Sequence, residues 1–269
     1  MLWLTISLHG VGVNMKIIFL GTGTSQGVPV IACKCDVCKS KNPKDKRLRT
    51  SALVVCDTGE QILIDIGPDF REQMLRHQVE HLDAILITHA HRDHVGGIDD
   101  IRSFNYVQQE KMQLYGNHQA LTALQRDYHY IFEPHIYPGL PEADLHVVDA
   151  NSTIIVGQQS VVPIAAFHKD LPVLGYRIGD LVYLTDCNHI YPDELLKLTG
   201  CKILVIGSLR KEKHFSHFCL QEAIEVIRKV APEQAFLIHM SHQMGLHDEV
   251  EKELPPNVNL AYDNLEFDF

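Results

Sequence analysis

The feature that most constrains the fold is a group of histidine and aspartate side chains directly after a short apolar segment. The run 84–87, Ala-Ile-Leu-Ile, predicts a buried strand. Gly96 and Gly97 then allow a tight turn into a predicted helix start at 98–101. Between strand and turn lie four potential metal ligands: His89, His91, Asp93 and His94. Imidazole and carboxylate groups are donors that zinc, iron and manganese accept.

The spacing of these four residues suits two neighbouring cations. An extended backbone directs residues i and i+2 to the same side, so His89 and His91 can bind one cation together. Asp93 and His94 lie one turn further along and can face a second cation. The alternative is a solvent-exposed turn in a chain that has 17 histidines. The position between an apolar strand and a Gly-Gly turn favours the metal site.

Length and composition predict a globular chain with a sizeable core. The 269 residues are 45% hydrophobic and 22% charged, and no stretch approaches the roughly 18 apolar residues of a membrane span. A net charge of −10 argues against a nucleic-acid partner. Residues 1–14 are predicted to be an N-terminal extension of little structural role, because Met15 opens directly on an apolar strand. Residues 15–269 are predicted to form a single domain.

Three of the seven cysteines, Cys33, Cys35 and Cys38, form the pattern C-x-C-x-x-C. Three thiolates so close together supply three of the four ligands of a tetrahedral zinc site and need one more from elsewhere. Free thiols on a loop are the alternative. Clustered cysteines of this kind favour metal binding in a reducing compartment, so the expected location is the cytoplasm.

Short apolar segments and amphipathic segments alternate along the chain and predict an α/β fold. The strongest helical spacing of apolar residues covers 220–230. Two halves of this kind can pack sheet against sheet, with helices outside. The predicted strands are 16–20, 52–55, 62–64, 84–87, 145–148, 153–156, 161–166, 176–178, 181–184, 201–206 and 235–238.

Three residues of metal-ligand type each end an apolar strand: His168, Asp186 and His239. One such residue alone would more often be a polar residue that caps a strand or has its hydrogen bonds satisfied by its neighbours. Because three strands end in this way in a chain that also carries the HxHxDH group, these residues are predicted to be further metal ligands. Asp65 ends another predicted strand, where it can either orient a metal-bound histidine or cap the strand end.

The pattern HxHxDH after a hydrophobic strand resembles the metallo-β-lactamase superfamily of metallohydrolases. The resemblance implies a four-layer αββα sandwich and two divalent cations at the active site, zinc or manganese, with iron also suited to the donors. Asp186 can bridge the cations, and it stands where the commonest β-lactamase subclass has cysteine, which favours a dinuclear hydrolase over antibiotic resistance. The implied ligands are His89, His91, Asp93, His94, His168, Asp186 and His239.

A closer resemblance uses the other end of the chain. The segment 21–29, Gly-Thr-Gly-Thr-Ser-Gln-Gly-Val-Pro, followed by the three cysteines, resembles the PhnP-like branch of cyclic-phosphate phosphodiesterases over residues 16–269. In that branch a histidine three residues after the last active-site histidine completes a structural zinc site. His242 matches it. Asn264 stands where glycine is expected, a mild departure because asparagine tolerates a left-handed backbone.

The resemblance also implies catalytic roles. His217, at the start of the amphipathic helix, matches a histidine that assists phosphodiester cleavage by protonating the leaving oxygen. His214 is a nearby second candidate for this role. The alternative is that His217 is a helix-start histidine with no catalytic role. Asp93 could in addition orient the attacking hydroxide. The implied reaction is metal-assisted hydrolysis of a small phosphodiester, with cyclic phosphodiesters included.

Three other functions stay open on the sequence. A thioester or acyl hydrolase of the glyoxalase II-like type would share the fold and the metal site. A tRNA 3′-processing nuclease fits the acidic charge poorly. A non-catalytic metal-binding protein would be expected to have lost ligands. The expected partner is a small-molecule phosphodiester selected by residues 98–145, and a homodimer is the expected assembly.

Overall fold

Two mixed sheets pack face to face in the computed structural model, which describes residues 15–133 and 139–269. The predicted extension 1–14 lies outside the described residues. Strands are numbered in chain order. The first sheet has the order β15 (Glu266–Asp268), β1 (Lys16–Gly21), β2 (Ser51–Val55), β3 (Gln61–Ile64), β4 (Ala84–Leu86), β5 (Met112–Gly116) and β6 (Ala143–Val147).

The second sheet contains the remaining eight described strands. Its order is β11 (His189–Ile190), β8 (Gln159–His168), β9 (Leu171–Ile178), β10 (Leu181–Leu184), β12 (Ile203–Gly207), β13 (Gln234–Ile238) and β14 (Val258–Leu260), with β7 (Ile154–Val156) paired to β8. Strands β10, β12 and β13 run parallel, and β8 runs in the same direction because β9 is antiparallel to both β8 and β10.

Helices cover the outer faces of both sheets. The described helices are α1 (Asp36–Lys39), α2 (Phe70–His77), α3 (Arg92–Val95), α4 (Ile101–Gln108), α5 (His118–Asp127), α6 (His129–Phe132), α7 (Pro192–Leu195), α8 (Leu220–Val230) and α9 (His247–Val250). Short 3₁₀ turns occupy Pro43–Asp45, Ile98–Asp100, Leu196–Leu198 and Glu251–Glu253. None of the helices in the described part is long and apolar enough to cross a lipid bilayer.

Successive residues of one strand enter different core layers. Ile62 and Ile64 of β3 pack between the sheets, whereas Leu63 packs outward with Phe70 of α2. The same alternation in β12 directs Val205 into the central layer and its neighbours towards α8. Because both faces of these strands are covered, their sequences are continuous apolar runs. The predicted four-layer αββα sandwich is confirmed.

The topology brings several strand ends to one edge of the molecule. The carboxyl ends of parallel strands meet at the same edge of a sheet, where α/β proteins place their ligands. At that edge His168 ends β8, Asp186 and His239 follow β10 and β13, and Asp65 and the HxHxDH loop follow β3 and β4. The fold therefore brings all predicted strand-end ligands towards one place.

Candidate active site

The HxHxDH loop is fixed by close backbone packing. Asp93 and His94 lie in α3, and His91 immediately precedes this helix. A Cβ atom at Gly67 would lie 2.2 Å from the carbonyl oxygen of Asp93, and one at Gly97 would lie 2.3 Å from the Gly67 carbonyl oxygen. Only glycine allows the backbone segments to approach so closely. The loop is therefore held against the segment that follows β3.

The Asp186 carboxylate lies at the centre of the predicted ligands. Its Oδ2 atom is 3.6 Å from Nε2 of His89 and 3.4 Å from Nε2 of His94, and its Oδ1 atom is 2.9 Å from Nε2 of His239. Asp93 adds a second carboxylate, 3.2 Å from His94 and 3.5 Å from His239. Asp186 thus contacts both parts of the cluster, as a bridging ligand would.

The ligand atoms form overlapping groups in which every atom lies within 4.8 Å of the others. His89, His91 and Asp186 make one group, and His168 and Asp186 share another with His217. The third group lies deepest in the protein and consists of Asp93, His94, Asp186 and His239. All seven predicted ligands of the dinuclear site are therefore brought together.

Three residues of the site adopt a left-handed backbone although none is glycine. The φ angles are 61° at Asp65, 48° at Asp186 and 57° at His239. Asp65 and His239 directly follow β3 and β13, and Asp186 follows β10 after one residue. This conformation is uncommon for side chains other than glycine and costs about 1–3 kcal/mol where the surrounding structure enforces it. It turns each side chain from the strand end into the cluster.

A buried carboxylate orients the deepest histidine. Asp65 Oδ2 lies 2.6 Å from Nδ1 of His94, which leaves the His94 Nε2 atom for the cluster. Thr88 donates its backbone N–H and its hydroxyl to Asp65, and its hydroxyl lies 3.0 Å from His89 Nδ1. Asp65 therefore orients a candidate ligand rather than only capping a strand. Thr88 is not among the site residues predicted from the sequence, although its place directly before His89 was the available signal.

His168 is oriented by a backbone group. Its Nδ1 lies 2.7 Å from the carbonyl oxygen of Ser216 and donates to it. This contact joins the end of β8 to the loop that carries His214 and His217. The His217 ring lies 4.4 Å from the His168 ring and 5.1 Å from the His239 ring, centre to centre. His214 lies one ring further out, 5.2 Å from His217, so the structure brings His217 and not His214 into the cluster.

The charges of the site fit bound cations. Burial alone would raise the pKa values of Asp186 and Asp93, but the adjacent histidines outweigh burial and hold both well below their ordinary range. Burial opposes protonation of His239, yet Asp186 raises its pKa to about 9. The cluster thus holds negative charge that needs compensation, which divalent cations can supply in place of protons.

An unpaired buried nitrogen also indicates that the site fits bound cations. Nε2 of His94 has no hydrogen-bond partner among the described residues, although carboxylate oxygens of Asp93 and Asp186 face it at 3.2 and 3.4 Å. A buried polar atom without a partner normally costs free energy. A cation between this nitrogen and the carboxylates would satisfy all three groups.

The predicted zinc ligands outside the active site also meet. Nδ1 of His242 lies 3.3 Å from the Sγ atoms of Cys33 and Cys35 and 3.6 Å from that of Cys38. A tetrahedral zinc ion with ordinary Zn–S and Zn–N bond lengths would separate sulfur and nitrogen by about 3.5 Å. The hydrogen bond from the Cys38 backbone N–H, and after it the contact with the His242 side chain, lower the pKa of Cys35, which favours its thiolate form. The four side chains therefore fit a zinc ion.

The two candidate metal sites share one loop. His239 and His242 are three residues apart, and the backbone of Met240 between them bonds to Thr22 and Thr24 in the loop after β1. The glycine-rich segment 21–29 thus bonds to the residue after His239. Asn264 has a φ of 72°, so it adopts the left-handed backbone expected at this position.

Comparisons with known proteins agree with this geometry. The family model described as a beta-lactamase superfamily domain matches residues 60–240. The crystal structure of a diphosphatase from the PhnP family is 35% identical, covers 95% of this chain and 98% of its own, and superposes with a TM-score of 0.88. Zinc-bound PqqB from Methylobacterium extorquens shares the fold, with a TM-score of 0.77. It is 16% identical, and the superposition covers 94% of this chain and 100% of PqqB.

A curated relative is longer than this chain. An octanoyltransferase from Porphyromonas gingivalis is 41% identical over 253 residues, which are 94% of this chain and 51% of the relative. This chain therefore spans about half the length of that protein. The assignment to a family rests on the family-model match and on the likeness to the PhnP-family enzyme over nearly the whole chain. The chain belongs to the beta-lactamase superfamily and, within it, to the PhnP family.

Proposed function

We propose that the protein is a dinuclear metal-dependent phosphodiesterase that acts on small phosphodiesters, cyclic ones included. The observation that carries the proposal is the central position of Asp186. Its carboxylate contacts His89 on one side and His94 and His239 on the other, so two ligand sets share it. A pair of cations held in this way suits a phosphoryl group, which presents several oxygens to be bound and neutralised.

Different side chains have different roles around the reacting phosphorus. Two bound cations would neutralise the phosphate charge and make a water molecule more acidic. Asp93 orients the attacking water through its carboxylate. His217 lies beside His168, and a ring nitrogen of His217 lies within 4.8 Å of an Asp186 carboxylate oxygen, where a leaving oxygen can be reached. Burial lowers the pKa of His217 to about 3, and the negative charge of a bound phosphodiester would raise it again.

We propose that His217 rather than His214 donates a hydrogen bond or proton to the leaving oxygen. The change His217→Gln should lower kcat about 10²–10³-fold for a phosphodiester with an alkyl leaving group. It should lower kcat less than tenfold for bis(p-nitrophenyl) phosphate, because p-nitrophenolate leaves without protonation. Steady-state kinetics on both substrates measures the difference. An equal loss on both, or the same selective loss in His214→Gln, would contradict the assignment.

The site formed by the three cysteines and His242 has a structural rather than a catalytic role in this proposal. We propose that Cys33, Cys35, Cys38 and His242 hold a structural zinc ion, since four protein ligands complete a tetrahedral zinc site and leave no open position for a substrate. The ion would fix the loop that carries His239.

A second candidate function is acyl or thioester hydrolysis. It is favoured by the relative named octanoyltransferase, whose name refers to acyl chemistry. The diphosphatase relative instead favours phosphate chemistry, and it matches nearly its whole length to this chain.

The experiment that separates these functions is a substrate panel on metal-free protein reloaded with zinc or manganese. We expect hydrolysis of bis(p-nitrophenyl) phosphate and of a nucleoside 2′,3′-cyclic phosphate, and no hydrolysis of S-lactoylglutathione, octanoyl-coenzyme A or a precursor tRNA. Rates are followed by absorbance and by chromatography of the products. Hydrolysis of a thioester without any phosphodiester turnover would move the assignment to acyl chemistry.

A further inference from the structure

One buried arginine is not among the predicted ligands of either metal site. Arg47 is 6% exposed, and a buried guanidinium group needs partners for its charge and for its N–H groups. Its Nη1 atom donates to the Thr22 hydroxyl at 2.8 Å and to the Ala261 carbonyl oxygen at 2.7 Å. Its Nη2 atom lies 3.3 Å from Nδ1 of His247. Arg47 therefore joins the loop after β1 to two segments that lie much further along the chain.

A partly buried carboxylate bonds to the same threonine. Asp263 Oδ1 accepts the backbone N–H and the hydroxyl of Thr22 at 2.9 and 2.8 Å, and its Oδ2 accepts the Leu48 N–H at 2.7 Å. The Thr22 hydroxyl has one hydrogen, which it donates to Asp263, and it accepts from Arg47. Burial opposes ionisation of both charged groups, and their opposite charges offset part of that effect. Thr22 is thus held between a cation and an anion.

Thr22 in turn holds the segment that carries His239. The Met240 N–H donates to the Thr22 carbonyl oxygen at 3.0 Å, and the Thr24 N–H donates to the Met240 carbonyl oxygen at 3.1 Å. His239 has a φ of 57°, a conformation that a residue other than glycine keeps only where the surrounding structure enforces it. These two bonds fix the backbone of the residue directly after His239. The position of the His239 ring therefore depends on the loop after β1.

We propose that Arg47, Asp263 and Thr22 are positioning residues for the active-site ligand His239 and so set the affinity of that site for its cations. They act through the backbone of Met240 rather than by contact with metal or substrate. This inference rests on the metal site of the proposed function and not on the choice of substrate. The alternative is that the three residues contribute only to the overall stability of the fold.

The test measures metal affinity in two variants of Thr22. Thr22→Val keeps the shape of the side chain but removes the hydroxyl that joins Arg47 to Asp263. We expect it to weaken the binding of zinc or manganese at the active site about 10–100-fold, as for other residues that orient a metal ligand. Thr22→Ser should bind these ions within about threefold of wild type, because its hydroxyl keeps both hydrogen bonds. Competition titration with a chromophoric chelator measures the affinities, and the structural zinc content should be unchanged in both variants.

Leu82→Ala is the control for a loss of stability alone. Leu82 is buried and lies just before β4, at the end of that strand opposite the HxHxDH loop. Its truncation leaves a cavity in the core, so Tm should fall while active-site metal affinity stays within about threefold of wild type. An equal loss of affinity in Leu82→Ala or in Thr22→Ser would overturn the positioning role, and so would an unchanged affinity in Thr22→Val.

A second pair of variants decides the question if Thr22→Val does not fold. Asp263→Asn keeps the shape of the side chain and one acceptor for Thr22 but removes the charge, and it should weaken active-site metal binding about tenfold. Asp268→Asn makes the same change at an exposed carboxylate 3.9 Å from Lys16 and should have no effect. Equal affinities in these two variants, or a wild-type chain that binds no active-site ion, would overturn the inference. Metal binding is measured whether or not a phosphodiester is hydrolysed, so an inert enzyme that binds its ions would contradict only the proposed function.

Discussion

Asp186→Ala should abolish phosphodiester hydrolysis while the protein remains folded. We expect kcat to fall about 10³-fold or more, which corresponds to about 4 kcal/mol of lost transition-state stabilisation. The physical reason is that Asp186 contacts His89, His94 and His239 with its two oxygens, so its removal disrupts both ligand sets together. Metal analysis of the variant should show at most one ion at the active site, compared with two in the wild-type protein.

Asp180→Ala provides the control for this prediction. Asp180 lies directly before β10, at the opposite end of the strand that precedes Asp186, and pairs with Lys202 on the surface. Its removal should leave kcat and metal content unchanged, because an exposed ion pair contributes about 0–1 kcal/mol. An Asp186→Ala protein that keeps both active-site ions, or more than a tenth of the wild-type turnover, would contradict the bridging role.

Cys35→Ser should produce the largest loss of stability. The zinc content should fall by one ion per chain, and Tm should fall by about 5 °C or more, because 1 kcal/mol corresponds to about 2–4 °C in a domain of this size. The reason is that metal binding to a folded site contributes its free energy to folding. The loop from His239 to His242 would also lose its anchor, so affinity for the active-site metals should weaken. Calorimetric unfolding and metal analysis measure both effects.

Cys201→Ser is the comparison for that variant. Cys201 is a buried free thiol in the outer core layer, far in sequence from the zinc ligands. Its replacement should lower Tm by a smaller amount and leave the zinc content unchanged. Equal zinc content in Cys35→Ser and wild type would show that the cysteines are free thiols.

Much of the site could be predicted from sequence because its ligands follow apolar strands. Parallel strands bring their carboxyl ends together, so a residue such as Asp186 could be assigned to the same edge as His239 before the fold was known. The HxHxDH spacing places its four ligands within one loop and one helical turn. Local spacing and the alternation of strands and helices can be read from a single sequence, and they are sufficient to place these ligands.

Other features depend on long-range contacts that local patterns do not encode. The left-handed backbone at Asp65 is enforced by its bonds to Thr88 and His94, which lie far along the chain. Strand β9 begins at Leu171 rather than at the predicted 176, because Pro172 and Gly175 interrupt the apolar pattern while pairing with β8 maintains the strand. The three-residue strand β15 forms only by pairing with β1.

The measurement that tests the account most directly is a metal titration of the protein stripped of its active-site ions. Turnover of bis(p-nitrophenyl) phosphate is recorded against the number of ions bound per chain, with Asp186→Ala titrated in parallel. We expect little turnover with the structural zinc alone, full turnover when two further ions are bound, and no turnover in the variant. Full turnover without active-site ions, or an inert protein that carries both, would contradict it.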